Sequence, residues 1–164
     1  MTPDPVRAYV AFGANLGAPR AALDCAAQAI DALPETRIIE RSACYRSAPL
    51  GVPNTQPDYT NAVLALDTAL GPQALLDALL AIEVAGGRRR ETPLAPRPID
   101  LDLLLYGNAI LATPTLTLPH PRLHERAFVL LPLAEIASDL VIPGIGPLAP
   151  LLEKVSRQQI VRIA

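Results

Sequence analysis

Lysine is almost missing from this chain of 164 residues: thirteen of its fourteen basic residues are arginine, and the single lysine is Lys154. Lys154 stands near the C-terminus, far from any glycine-rich turn. That excludes a P-loop with its lysine, and the strand lysine of protein kinases as well. Any phosphate-binding role must rest on arginine, a metal ion and backbone groups. A basic surplus is also absent. The net charge is -2 and the pI about 5.6, which disfavours a nucleic-acid or membrane-surface partner. No run of ~18 uncharged apolar residues occurs, so no membrane span is expected. The N-terminal MTPDPVRAYVAFG lacks a basic segment followed by an apolar stretch; a cytoplasmic chain without a secretory signal is expected. The two cysteines, Cys25 and Cys44, give no disulfide framework, and both are expected as reduced core residues. Tryptophan is absent, and only Tyr9, Phe12, Tyr45, Tyr59, Tyr106 and Phe128 carry aromatic rings besides the two histidines.

What is present is an ordered series of elements. Val6 to Gly13 has strand character, and GANLG at 13–17 reads as a turn. Ala18 to Leu33 has helical periodicity, and Arg37 to Tyr45 reads as a second strand. Ser47 to Asp58 is a proline-rich loop, and Asn61 to Thr68 a third strand. Pro72 opens a helix with Leu75, Leu76, Leu79 and Leu80 at helical spacing, and Gly86-Gly87 ends it. Gly87 to Pro98 is a loop rich in arginine and proline, and Ile99 to Tyr106 a fourth strand. The order β-α-β-β-α-β is that of a split βαβ unit: an antiparallel sheet with both helices on one face. The residues from Asn108 onward are expected to add short helices and a small strand pair. One domain over residues 1–164 is expected, and a monomer.

The fourth strand carries the chemistry. Side chains alternate along a strand, so Ile99, Leu101, Leu103 and Leu105 form an apolar face under the helices, while Asp100, Asp102 and Leu104 point to the other, open face. The two aspartate Cα atoms lie ~7 Å apart at ~3.4 Å per residue. Aspartate is a poor strand former, and two like charges on one face repel; a bound cation removes both problems. The donors suit Mg²⁺, which binds through one or two carboxylates plus substrate phosphates. Beside them, Arg88, Arg90 and Arg97 follow a Gly-Gly pair, and their planar forks match phosphate oxygens. Arg89 reads as solvated. His120 and His124 lie four apart, but Pro119 and Pro121 disfavour the helix a zinc pair needs; His120 as an imidazolium would instead donate to phosphate. Tyr59 and Asn61 face the same way on a strand, a ring beside an amide, which suits the edge of a flat heterocycle. The rival class is a non-enzymatic ferredoxin-like ligand-binding or regulatory module, which needs neither an aspartate pair in a buried strand nor an arginine loop beside it; a Mg²⁺-dependent phosphohydrolase, releasing inorganic phosphate, is a third possibility.

The segments FGANLG, YRSAPLG…QPDYTNAV, GRRR…APRPIDLDLLLYG and LTLPHPRLHERAFVLLPL together resemble the 6-hydroxymethyl-7,8-dihydropterin pyrophosphokinase family over about residues 7 to 145. The resemblance implies a ferredoxin-like α+β enzyme of folate biosynthesis. It would move the terminal diphosphate of ATP to the hydroxymethyl group of a reduced pterin and release AMP, by Mg²⁺-dependent in-line attack at the β-phosphorus. It further implies that Asp100 and Asp102 hold two Mg²⁺ ions and act in catalysis with Arg88 and Arg97. Arg88, Arg90, Arg97, Leu103, Thr117, His120 and Arg126 would contact ATP. Tyr59 and Phe128 would sandwich the pterin, Asn61 would bond its edge, and Ser47, Ala48, Pro49 and Leu50 would offer backbone contacts. Glu83 would be a structural acid. The chain departs from the family at three places: Ala14 replaces a serine, Leu94 or Ala95 a lid tryptophan, and Pro121 a tyrosine.

Overall fold

The computed structural model describes residues 4–15, 17–48, 58–86 and 99–163. Its centre is an antiparallel sheet. Strand β1 (Val6–Ala14) lies between β4 (Tyr59–Thr68) and β5 (Asp100–Tyr106), and β3 (Tyr45–Ser47) and β10 (Ile160–Arg162) extend the far side beyond β4. Strand β2 (Thr36–Arg41) shares the edge of β4 with β3. Helices α1 (Pro19–Asp31) and α2 (Pro72–Ala85) each begin with proline in the first turn, where its missing N–H costs nothing. Their apolar stripes, Leu23, Ala26 and Ile30 on α1 and Leu75 and Leu79 on α2, cover Ala8, Val10, Phe12, Leu64, Leu66, Leu101 and Leu103 on one face of the sheet. Helix α2 stops at Gly86, where a Cβ would stand 2.5 Å from the Ile99 side chain. Only glycine lets the chain pass so close to β5.

The expectation of an open second face is corrected. Tyr9, Ala11, Val63, Ala65, Leu104 and Leu105 form a second core under helices α3 (Ala127–Ile136) and α4 (Leu148–Lys154). Strands β1 and β4 are therefore apolar on both sides, as a strand buried on both faces must be. The residues after β5 also form two ribbons, β6 (Leu111–Ala112) with β7 (Thr117–Leu118), and β8 (Val141–Ile142) with β9 (Gly146–Pro147).

Other expectations change for local reasons. The pairing of β5 with β1 slips between Tyr9 and Val10, which face Leu105 and Leu103. Leu104 is thus an extra residue, a bulge, and Leu105 swings to the α3 side instead of joining Leu101 and Leu103. The single strand expected over Arg37 to Tyr45 is two strands. Residues 41 and 45 pair with Leu64 and Asn61, so the intervening segment bulges. The Ser42 hydroxyl closes the gap by accepting the Val63 N–H at 2.9 Å. Cys44 is buried in this break, while Cys25 is exposed on α1 rather than in the core; both are free thiols. Gly13 lies within β1 rather than opening a turn. No helix among the described residues is long and apolar enough to cross a membrane.

Candidate active site

Strand β5 ends the sheet on one side, so its outer backbone groups need partners. The buried Glu83 carboxylate, from the last turn of α2, accepts the Leu101 N–H at 2.7 Å. The His120 N–H donates to the Leu104 carbonyl at 2.9 Å. These two bonds bring the end of α2 and the segment after β7 to the same edge. Between them lies a cavity of about 550 Å³ lined by Asp100, Asp102, Leu103, Thr117, His120 and Arg126.

Asp100 and Asp102 lie on the sheet face away from α1 and α2. They alternate with Ile99, Leu101 and Leu103 of the first core and pair with Gly13 and Ala11 of β1. Each is half-buried. Beyond this end of the strand the second core begins at Leu104, so the pair occupies the margin of the covered face. The acidic residues of the lining are Asp100, Asp102 and Glu83, the last engaged by the Leu101 N–H. No group of three or more His, Cys, Asp or Glu residues that could hold a metal exists among the described residues. Such an all-oxygen pair suits a hard cation that completes its shell with water and phosphate, and does not suit zinc.

His120 is not the imidazolium expected from sequence. Burial, and the positive charge of Arg126, hold its pKa below 6.5 against the opposing pull of Asp100. The Arg122 N–H donates to His120 Nδ1 at 3.2 Å, so the neutral ring carries its proton on Nε2. It remains a donor toward the cavity without a charge. Arg126 precedes α3 and stacks over Phe128, its guanidinium carbon 5.4 Å from the ring centroid. Gln158 fixes this helix start. Its amide oxygen accepts the Ala127 N–H at 2.9 Å and its Nε2 donates to the Glu125 carbonyl at 2.7 Å.

The residues expected to read a heterocycle form a second group. Tyr59 pairs with Ser47 and Asn61 with Tyr45 across β4 and β3. Asn61 is nearly buried, and its Nδ2 donates to the Tyr45 carbonyl at 3.3 Å and to Ser47 Oγ at 2.8 Å. Both amide hydrogens are thereby used. Tyr45 is held in turn by its hydroxyl, which donates to Glu135 on α3 at 2.6 Å. Burial and that bond push the Tyr45 pKa up to about 12. Phe128 is half-buried at the start of α3 and Ala48 is exposed. Asn61, Gly13 and Asp100 are lateral partners in one row across the sheet, which joins the second group to the carboxylates. Leu50, Pro49, Arg88, Arg90 and Arg97 lie outside the described residues.

Sequence reasoning missed part of the lining. Leu76, Leu80, Thr113, Thr115 and Arg122 also face the cavity, as does Glu83, which was expected only as a structural acid. Leu76 and Leu80 had a signal: α2 carries a second pair of leucines beside the buried Leu75 and Leu79, of which Leu76 also packs against the first core.

The family description 7,8-dihydro-6-hydroxymethylpterin-pyrophosphokinase (HPPK) matches residues 9–138. The class is therefore an enzyme of diphosphate transfer, a pyrophosphokinase. The chain is 50% identical over 137 residues to the 2-amino-4-hydroxy-6-hydroxymethyldihydropteridine pyrophosphokinase of Pseudomonas aeruginosa, covering 84% of each. It is 43% identical over 158 residues to that of Haemophilus influenzae, covering 96% of this chain and 98% of the other. Among solved structures, the Plasmodium falciparum HPPK-DHPS with pteroate aligns with a TM-score of 0.73 at 13% identity, over 96% of this chain and 44% of that one. That likeness concerns the fold alone, and the chain spans less than half of that protein. The chain belongs to the 7,8-dihydro-6-hydroxymethylpterin-pyrophosphokinase family, whose work lies in folate biosynthesis.

Proposed function

We propose that the chain transfers a diphosphate from ATP to the hydroxymethyl oxygen of 6-hydroxymethyl-7,8-dihydropterin and releases AMP. The observation that carries this reading is the Asp100–Asp102 pair, which lines a cavity with Arg126 and His120 on one side and, through Asp100, shares a sheet row with Asn61 on the other. The nucleotide takes the cavity. Leu76, Leu80 and Leu103 offer it apolar surface, and Thr117, His120 Nε2–H and Arg126 offer it donors. The pterin takes the adjoining stretch by Tyr59, Asn61 and Phe128, with Ser47, Ala48 and Leu50 beside it.

Asp100 and Asp102 would hold Mg²⁺, two ions in the fullest form of the proposal, and their oxygen-only set fits that ion. When bound, Mg²⁺ offsets phosphate charge and orients donor and acceptor. The chain's own groups do the rest. Arg88, Arg90 and Arg97 pair with the polyphosphate as planar forks. The hydroxymethyl oxygen forms a bond to the β-phosphorus and gives up its proton to water, while the bond from that phosphorus to the α–β bridging oxygen breaks, and AMP carries that oxygen away. Catalysis of this kind is mostly positioning and electrostatics. His120 serves as a donor and not as a base, since its Nδ1 is occupied by the Arg122 amide. The ferredoxin-like description belongs to the same proposal. It is supported by the order β1-α1-β2/β3-β4-α2-β5, in which β2 and β3 together take the place of the second strand, and by the lateral order β5-β1-β4 with β2 and β3 beyond. A cytoplasmic monomer acting on small molecules completes it.

The test is an incubation of the chain with ATP, MgCl₂ and the hydroxymethyl-dihydropterin, read by mass spectrometry. Equal amounts of AMP and pterin diphosphate are expected. Inorganic phosphate instead would make the chain a phosphohydrolase, and binding without turnover would make it a binding module.

A further inference from the structure

Arg122 has no role in the account so far, yet it lines the cavity with His120 and Arg126. Its backbone is pinned on both sides. Its N–H donates to His120 Nδ1 at 3.2 Å, and its carbonyl accepts the Glu125 N–H at 3.1 Å. The next residue, Leu123, donates to the His120 carbonyl at 3.2 Å and is fully buried in the second core. The side chain on this fixed stem is exposed. Arg7, Arg41 and Arg162 are each paired with a carboxylate, of Asp67, Asp24 and Glu135. Arg122 has no carboxylate partner among the described residues. Glu125 stands three positions on, but it lies toward His124 at 3.9 Å.

The cavity thus carries two guanidinium groups, and they are not equivalent. Arg126, Asp100 and Arg122 all act on the His120 ring, with Arg126 the strongest of the three and Arg122 the weakest. Arg126 also stacks over Phe128, which draws it to the acceptor side of the site. Arg122 has no ring and no acid to hold it. It shares its part of the lining with Pro121 and with Thr113 and Thr115 of the β6–β7 turn. The phosphates of a nucleotide donor have two fates. Two leave with the acceptor and belong beside Asp100 and Asp102. The third stays on the nucleoside and needs its own counter-charge. A guanidinium fork meets two non-bridging oxygens of one phosphate at once.

We propose that Arg122 is a further nucleotide-binding residue, the one that holds the phosphate left on the nucleoside: it pairs with the α-phosphate of ATP and stays paired with it in the AMP that departs. This rests on the functional reading above. Arg122 then serves the donor nucleotide and its product alike, and has no part in binding the acceptor. Its pinned backbone reduces the ordering that the contact requires.

Arg122→Gln tests it in the full chain. The melting temperature stays level, because the side chain is exposed. The Kd for AMP, measured by calorimetry, and the KM for ATP both rise by about tenfold or more, the scale of one charge-assisted hydrogen bond. The KM for the dihydropterin stays unchanged. Adenosine, which lacks the phosphate, competes with a non-hydrolysable ATP analogue equally well on both chains. An AMP affinity equal to that of wild type overturns the proposal. So does an equal loss for AMP and adenosine, which would place Arg122 against the nucleoside instead of its phosphate. If the wild-type chain makes no pterin diphosphate, the functional reading falls and takes this inference with it. If wild type turns over and Arg122→Gln binds AMP as wild type does, only this inference falls.

Discussion

Glu83 gives the sharpest link between stability and activity. It is fully buried, and its Oε2 accepts the N–H of Leu101, the residue between the two aspartates. A hydrogen bond with a charged partner contributes about 1.5–3 kcal/mol, and a buried N–H left unpaired costs about 1–3 kcal/mol. Glu83→Ala loses the bond and removes side-chain volume from the edge of the cavity, where water can enter and recover part of the cost. About 2–4 kcal/mol is the expected loss. For a chain of this size each kcal/mol shifts Tm by about 2–4 °C, so thermal unfolding followed by circular dichroism should fall by roughly 5–15 °C. The released strand also lets Asp100 and Asp102 drift. A misplacement of about 1 Å costs about a hundredfold in rate, and kcat/KM for AMP release should fall by about tenfold to a hundredfold. Glu83→Gln keeps a carbonyl oxygen for Leu101, so its loss of stability should be smaller, about 1 kcal/mol, and its kinetic loss smaller too. Glu83→Ala with wild-type Tm and wild-type kcat/KM would refute the reasoning.

Two further predictions concern pH and packing. His120 is held below its ordinary pKa of 6.5 by burial and by Arg126, so between the two values the unfolded chain binds more protons than the folded one. Stability from this group is present above pH 6.5 and is lost as pH falls from there toward the folded value; Tm measured from pH 7.5 to 5 should decline, and the decline should be shallower in His120→Gln, whereas parallel curves would contradict it. Burial works against the Glu135 carboxylate, but hydrogen bonds from Tyr45 and Ala43 and the charge of Arg162 outweigh it and hold its pKa below 4.5; its contribution is therefore lost as pH falls below 4.5, and Glu135→Ala should cost about 1–2 kcal/mol of unfolding free energy by urea titration at pH 7, with no loss taken as a contradiction.

The strand character of β1 and β4 and the proline and glycine limits of α2 were legible in the sequence, because each depends on local chemistry. The aspartate pair was legible for the same reason: carboxylates interrupting an apolar strand need a cause. The bulge at Leu104 was not, since a bulge is defined by the partner strand, and nothing near Leu104 announces that Tyr9 will pair with Leu105. Nor was the cover over the second face, because the leucines of α3 and α4 do not say which sheet face they meet. Cys25 looked like a core residue by type, yet the helix turns it outward beside the buried Ala26 and Ala27. The charge state of His120 depended on Arg126 and on burial, and both come from tertiary structure.

The central claim is that Asp100 and Asp102 act together on the phosphates of a bound nucleotide. The most direct measurement is Mg²⁺-dependent AMP formation by Asp102→Ala, in the presence of hydroxymethyl-dihydropterin, alongside its melting temperature. Loss of turnover by about a thousandfold or more, with Tm unchanged or raised because the repulsion between the two carboxylates is gone, is the predicted result. Turnover near that of the wild-type chain would contradict the account.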